Sequence, residues 1–240
     1  MKNYVVWTNC KISETEARFN IQPCGDPDNQ AAYARMHEIS LASARHFLSG
    51  DWEPVVFTEP AETRVHMFRD NWQRVWDLWH SEPCNLLYLD SDAMLIRPTD
   101  MFGRFKEFRL FNWSDPKQNQ CYNNYFNAGV RYYPSTIDPE IWDIGKRMAE
   151  NWNLDIWDQE QLIFNEMFWQ QNIPDHDRHH PELNWQGMGF SKGLSQQVHE
   201  DWNQLALNQA HIIHVHGSRQ PITTAQIMKD VCRQVGISIQ

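Results

Sequence analysis

The stretch Asn85-Leu86-Leu87-Tyr88-Leu89-Asp90-Ser91-Asp92-Ala93-Met94-Leu95 constrains this chain more than any other. An apolar run of this length, entered after Pro83, reads as a strand buried on both faces of a sheet. It nevertheless delivers two carboxylates, Asp90 and Asp92, with one residue between them. Open α/β sheets bind ligands beyond the carboxyl ends of their strands, which is where these aspartates emerge. Residues two apart on a strand point the same way, so the two carboxylates are expected to converge. Carboxylates that close repel unless a cation lies between them or one takes a proton. A hard divalent ion, Mn²⁺ or Mg²⁺, accepts carboxylate oxygens and completes its shell with substrate phosphates. The plainer reading is a strand end followed by a turn that Asp92 caps, and the rest of the chain decides between the two.

The flanking segments alternate between the two regular structures. Residues 3–8 (NYVVWT) and 54–59 (PVVFTE) read as strands, and a loop rich in Pro, Gly, Asp and Asn runs from about 22 to 30. Residues 31–48 hold strong helix formers without Gly or Pro. Val65, Phe68, Trp72, Val75 and Trp79 form one apolar stripe at helical spacing. Further strands are expected at 108–112, 125–133 and 211–217, and a further helix at 157–169. A last helix is expected from a capping box of Thr223 and Gln226, with Gly236 as its stop. Such alternation implies an α/β fold with a mixed sheet flanked by helices. No repeat or linker divides it, so a single domain over 1–240 is expected.

Composition narrows the chemistry. The formal charge of −10, from 21 basic and 31 acidic residues, argues against a nucleic-acid partner, whose affinity rests on a basic face. No run of 18 apolar residues exists and the N-terminus lacks a signal-peptide core, so a cytoplasmic chain without a transmembrane segment is expected. Peripheral association with a membrane stays open, although no basic amphipathic helix is evident. Cysteines 10, 24, 84, 121 and 232 are odd in number and scattered, which indicates neither a disulfide framework nor a zinc knuckle. Cys84 and Cys232 read as small core residues. Of the 12 tryptophans, those in the stripe Phe68, Trp72, Trp76, Trp79 read as core. Trp113, Trp157, Trp169 and Trp185 lie near motif ends and are candidates for stacking on a sugar. Asp26–Asn29 reads as a turn, and the His/Asp-rich 175–180 as a solvated loop between two prolines.

The second constellation is HIIHVHGSRQP at 211–221. Another apolar strand here delivers a possible ligand for Mn²⁺, His214 or His216, which spacing alone does not separate. Gly217 lets a backbone N–H approach a phosphate, and Arg219 carries paired donors for a diphosphate.

Five motifs follow one another in order: LYLDSD at 87–92 with Ala93 and Met94, FNAGV at 126–130, WDQEQLIFN at 157–165, LNW at 183–185 and IIHVHG at 212–217. Together they resemble the GT-A glycosyltransferases, most of all the retaining family that includes glycogenin and bacterial lipopolysaccharide galactosyltransferases. The resemblance runs from residue 3 to residue 221. It implies a GT-A (nucleotide-diphospho-sugar transferase) Rossmann-like fold and transfer of a sugar from a UDP-sugar to a glycan, lipid-linked or protein acceptor. It also implies that Asp90, Asp92 and His214, the histidine that fits HxxG, hold Mn²⁺ or Mg²⁺. Ser91 would accompany the aspartates, Thr8 and Asn9 would lie near the uracil, and Arg69 or Arg74 would contact the nucleotide or steady the first aspartate. Asn127, Ala128 and Gly129 would line the sugar site, with Asp158 and Gln159 beside the reacting carbon. An inverting reaction would instead need a base, Asp158 or Asp115. The chain departs from the family's GxxKP: Arg219 stands one place early, between Gly217 and Pro221. Two alternatives differ in class. A haloacid-dehalogenase-type phosphatase also starts from a DxD strand, but wants Thr or Val where Met94 stands and places the motif near its N-terminus. A carbohydrate-binding module would be richer in strands than this chain.

Overall fold

The structure, a computed structural model, describes residues 1–13, 24–106, 109–115, 120–137, 150–151, 159–170, 180–186, 196–215 and 220–239; of 109–115, 120–126 and 166–170 it describes the backbone. The strands are β1 (Lys2–Thr8), β2 (Glu53–Phe57), β3 (Cys84–Leu89), β4 (Ala93–Leu95), β5 (Arg109–Asp115), β6 (Gln120–Tyr133), β7 (Trp185–Gln186) and β8 (Ile212–His214). The helices are α1 (Pro27–Phe47), α2 (Arg64–Ser81), α3 (Met101–Arg104), α4 (Gln159–Gln170), α5 (Gln196–Gln209) and α6 (Pro221–Val235).

Two sheets result. The larger has the order β2-β1-β3-β6-β5, with β1 parallel to β2 and β3, and β6 antiparallel to both β3 and β5. The smaller has the order β4-β8-β7. The expected mixed sheet flanked by helices is therefore present. The central strands are continuous apolar runs because both their faces are covered. Val6, Leu86 and Tyr88 pack with Trp72 and Val75 of α2 and Phe164 of α4, while Val5, Trp7, Leu87 and Leu89 pack with Ala44, Met101 and Phe102. A third cluster joins α1, α5 and α6 over the small sheet, and Cys84 and Cys232 are core residues as expected.

The sequence reading needs correction at several places. Asp26–Asn29 is not a turn: Asp26 caps α1, accepting from the N–H groups of Asp28 (2.9 Å) and Asn29 (3.2 Å), with Pro27 in the first turn. Helix α1 thus starts before residue 31. Thr223 is not a cap, because α6 begins at Pro221 after Gln220, which makes no side-chain capping bond. The stop at Gly236 stands: its φ of 81° is left-handed, and Ile237 N–H closes on Cys232 C=O at 2.9 Å. Trp185 is no sugar platform, being buried against Trp202 with ring centroids 4.9 Å apart. Phe68, expected in the core, lines the ligand cleft described below. The side chains of Trp113 and Trp169, all of Trp157, and residues 175–179 lie outside the described ones.

Candidate metal centre and ligand cleft

Asp90 and Asp92 do not sit along a strand. They occupy the turn by which the chain leaves β3 in the large sheet and enters β4 in the small one. The turn is closed by Ala93 N–H donating to Asp90 C=O at 3.0 Å. It is anchored on both sides: Asp90 N–H donates to Gly129 C=O of β6 (2.8 Å), and Val215 N–H donates to Asp92 C=O (2.9 Å). Convergence of the carboxylates, inferred from strand alternation, is thus produced by a turn pinned between two sheets.

Register brings the third group. Ala93 pairs with His214, so the imidazole at the end of β8 faces the turn. One ligand atom from each of Asp90, Asp92 and His214 falls within 4.8 Å of the others. His214 Nε2 lies 3.0 Å from Asp92 Oδ1 and 3.7 Å from Asp90 Oδ2. His216, Gly217 and Arg219 lie outside the described residues.

The hydrogen bonds assign the tautomer. Gly129 N–H, which can only donate, meets Asn127 Oδ1 at 2.8 Å, and Asn127 Nδ2 donates to Gln161 Oε1 at 2.9 Å. The Asn127 amide is therefore oriented with its oxygen toward His214 Nδ1, 3.1 Å away, and Nδ1 must carry the hydrogen. In the neutral ring Nε2 then aims a lone pair at a carboxylate oxygen 3.0 Å away, which is repulsive unless a proton or a cation lies between them. Neighbouring ligand atoms on an octahedral ion bound at about 2.1 Å lie about 3 Å apart, so this donor set fits a divalent ion. A carbonyl holding the far nitrogen of a ligating histidine is the usual support of such a site. Burial works against a charged His214, yet Asp92 outweighs it and holds the pKa above the ordinary value. Burial pushes Asp90 up, opposed by His214 and reinforced by Asp92. Its side chain is 29% exposed, toward the cleft that it lines.

Gly129 is required by space. A Cβ there would stand 2.2 Å from His214 Cε1 and 2.8 Å from Asp90 Oδ2.

A cleft opens from this cluster between the ends of β1 and β3 and the helices α1 and α2. Thr8, Asn9, Ser91, Asp90 and Asp92, all expected at the site, line it together with Tyr33, Arg64, Phe68 and Tyr88. The arginines singled out from sequence stand elsewhere: Arg69 pairs with Asp70 at 2.8 Å, and Arg74 lies 3.5 Å from Glu59. Among the described residues, the arginine that lines the cleft is Arg64, the first residue of α2. Burial disfavours its charge, but Tyr33, Cys24, Asp92 and Asp90 together hold its pKa above the usual value. The start of α4 brings Gln161 to Asn127 and to Ala128 N–H (3.3 Å). Asp158 lies outside the described residues, as do the side chains of Gln159 and Asp115. Arg64 and Gln161 were both missed. Gln161 stands two positions from Gln159 and Arg64 five from Arg69, and α-helical phase alone does not say which turn faces the site.

No family model and no curated protein matches the chain. Solved structures do match at low identity. A glycosyltransferase involved in glycosylation of the PBCV-1 major capsid is 13% identical with a TM-score of 0.50, covering 95% of this chain and 100% of its own. The apo glycosyltransferase GlyE of Streptococcus pneumoniae TIGR4 is 15% identical with a TM-score of 0.52, and the match covers 97% of this chain and 62% of GlyE. The bifunctional glycosyltransferase WbbM is 11% identical with a TM-score of 0.56, over 98% of this chain and 49% of WbbM. The chain has the fold of GT-A-like glycosyltransferases.

Proposed function

We propose that the chain is a metal-dependent glycosyltransferase, a single domain that moves a sugar from a nucleotide-diphosphate sugar, UDP-linked by the resemblance, to a hydroxyl acceptor. The observation that carries this reading is the Asp90–Asp92–His214 cluster, its histidine held by Asn127, whose two aspartates line a cleft in a GT-A-like fold. Asp90, Asp92 and His214 would hold Mn²⁺ or Mg²⁺, and when bound such an ion supplies positive charge for the departing diphosphate. Thr8 and Asn9 line the part of the cleft assigned to the base, and Ser91 lies between the metal-binding aspartates. Asn127 and Gln161 bond to one another, and by the resemblance Asn127, Ala128 and Gly129 would line the sugar site. Gln161 thereby joins Asp158 and Gln159 as a candidate beside the reacting carbon. A retaining course needs no strong base there, and the anomeric configuration of the product by NMR decides it: inversion would end that part of the proposal.

The main test is thermal unfolding with a panel of nucleoside diphosphates, each with and without Mn²⁺. Mass action raises stability by about 2.7 kcal/mol at a hundredfold excess over the dissociation constant. One diphosphate should raise Tm only with Mn²⁺, and Asp92→Asn should abolish the shift. No shift with any nucleotide removes the reading.

A further inference from the structure

We infer that Tyr33 is a positioning residue that sets the guanidinium of Arg64 toward the diphosphate of a nucleotide bound in the cleft. The inference rests on the donor-site reading above and adds to it a residue from α1, an element that none of the motifs includes.

Arg64 begins α2 and Tyr33 lies in the second turn of α1, so their contact bridges the two helices that wall the cleft. Arg64 Nη1 donates to the Tyr33 hydroxyl at 3.1 Å. Its Cζ stands 5.6 Å from the centre of the Tyr33 ring and 5.5 Å from that of Phe68. Two aromatic rings, one from each helix, therefore flank a guanidinium that also donates to the hydroxyl of one of them. The Cys24 thiol also donates to the same hydroxyl, with Sγ 3.8 Å away. Arg64, Asp90, Ser91 and Asp92 line one cleft, so this cation shares it with the carboxylates proposed to bind the metal. A diphosphate held in that cleft would meet both the metal-binding carboxylates' ion and this guanidinium as sources of positive charge.

The chemistry favours a fixed fork over a mobile charge. Arginine presents its N–H donors in one plane, matched to two phosphate oxygens, and holding that plane beforehand reduces the side-chain entropy lost on binding. Tyrosine is suited to this because its ring is rigid and its hydroxyl sits at the end of it. Phenylalanine at position 33 would keep the ring contact and remove the hydrogen bond to Nη1.

The test compares Tyr33→Phe, Arg64→Lys and the double variant with the wild type. Dissociation constants are measured by calorimetry in Mn²⁺ for uridine diphosphate and uridine monophosphate, or the corresponding pair for the base selected by the panel above. Tyr33→Phe should weaken the diphosphate about tenfold, the scale of one hydrogen bond to a charged group, and the monophosphate by less than about twofold. Arg64→Lys should weaken the diphosphate at least as much, and adding Tyr33→Phe to it should produce no further loss, since the hydroxyl acts through the arginine. Unchanged diphosphate binding in Tyr33→Phe overturns the inference. So does an equal loss for both ligands, or additive losses in the double variant. A wild type that binds no nucleoside diphosphate overturns the donor-site reading as well, which separates the two failures.

Discussion

Gly129 shows how little latitude single residues have at this site. Any side chain there meets the His214 ring and the Asp90 carboxylate, and the ring, the nearer of the two, is buried. The ring is held at both nitrogens, by Asn127 and by Asp92, and Asp90 is tied through its N–H to Gly129 itself. Gly129→Ala should therefore displace the histidine rather than be absorbed. We expect Mn²⁺ affinity to fall by about 10- to 100-fold, the range seen when the support of a metal ligand is disturbed. Titration with Mn²⁺ followed by electron paramagnetic resonance measures it, and wild-type affinity in the alanine variant would refute this account. The carboxylate pair of this cluster was legible as a local pattern, whereas spacing left His214 and His216 unseparated and only the family resemblance pointed to His214. The reason for Gly129 was not, since the atoms it avoids come from residues 90 and 214.

At the scale of elements, one ion pair fastens α4 to the large sheet. Arg131 of β6 pairs with Glu160 in the first turn of α4, and the two are 1% and 7% exposed. Tyr88 lies opposite Arg131 in the β3–β6 register, and its ring centre is 3.8 Å from the guanidinium carbon, with Phe164 at 4.8 Å. Burial opposes the charge on Arg131, but Glu160 outweighs it and keeps the pKa raised. Removing one partner strands a buried charge, whereas removing both with apolar replacements does not. Arg131→Met should thus cost about 3–5 kcal/mol in denaturant unfolding, and Arg131→Met with Glu160→Leu should recover most of it. A single variant as stable as the wild type would show that the pair holds nothing. The strand containing Arg131 was legible in the run YFNAGVRYY, and the helix in WDQEQLIFN. Their contact was not, because the arginine's partner stands 29 positions away with nothing local to name it.

The stability of the whole molecule has an acid limb to which one buried imidazole contributes. His37 of α1 is 7% exposed, edge-on to Trp7 of β1 with ring centroids 5.8 Å apart. Burial lowers its pKa, and the nearby Glu38 only partly opposes this. The unfolded chain takes this proton at about pH 6.5, the folded chain at a lower pH. Between those values the unfolded state binds more protons, so stability is lost as pH falls below about 6.5. Thermal melts from about pH 7.5 to 5 should show the wild type losing more Tm than His37→Gln over that window. Parallel profiles would exclude His37 as a contributor.

Across these scales, what the sequence determined by itself was whatever depends on near neighbours. Strand and helix alternation, the buried strand that ends just before Asp90, the glycine that stops α6 and the carboxylate pair at 90 and 92, with a histidine at 214 or 216, are all set by periodicity and residue chemistry over a few positions. Tertiary structure decided the rest. It ran β6 antiparallel beside β3, placed the aspartates in a turn between two sheets, and brought Arg64 rather than Arg69 or Arg74 into the cleft beside Tyr33. These outcomes turn on contacts between residues tens of positions apart, whose energy appears only when the intervening chain has packed, and no local pattern carries that information.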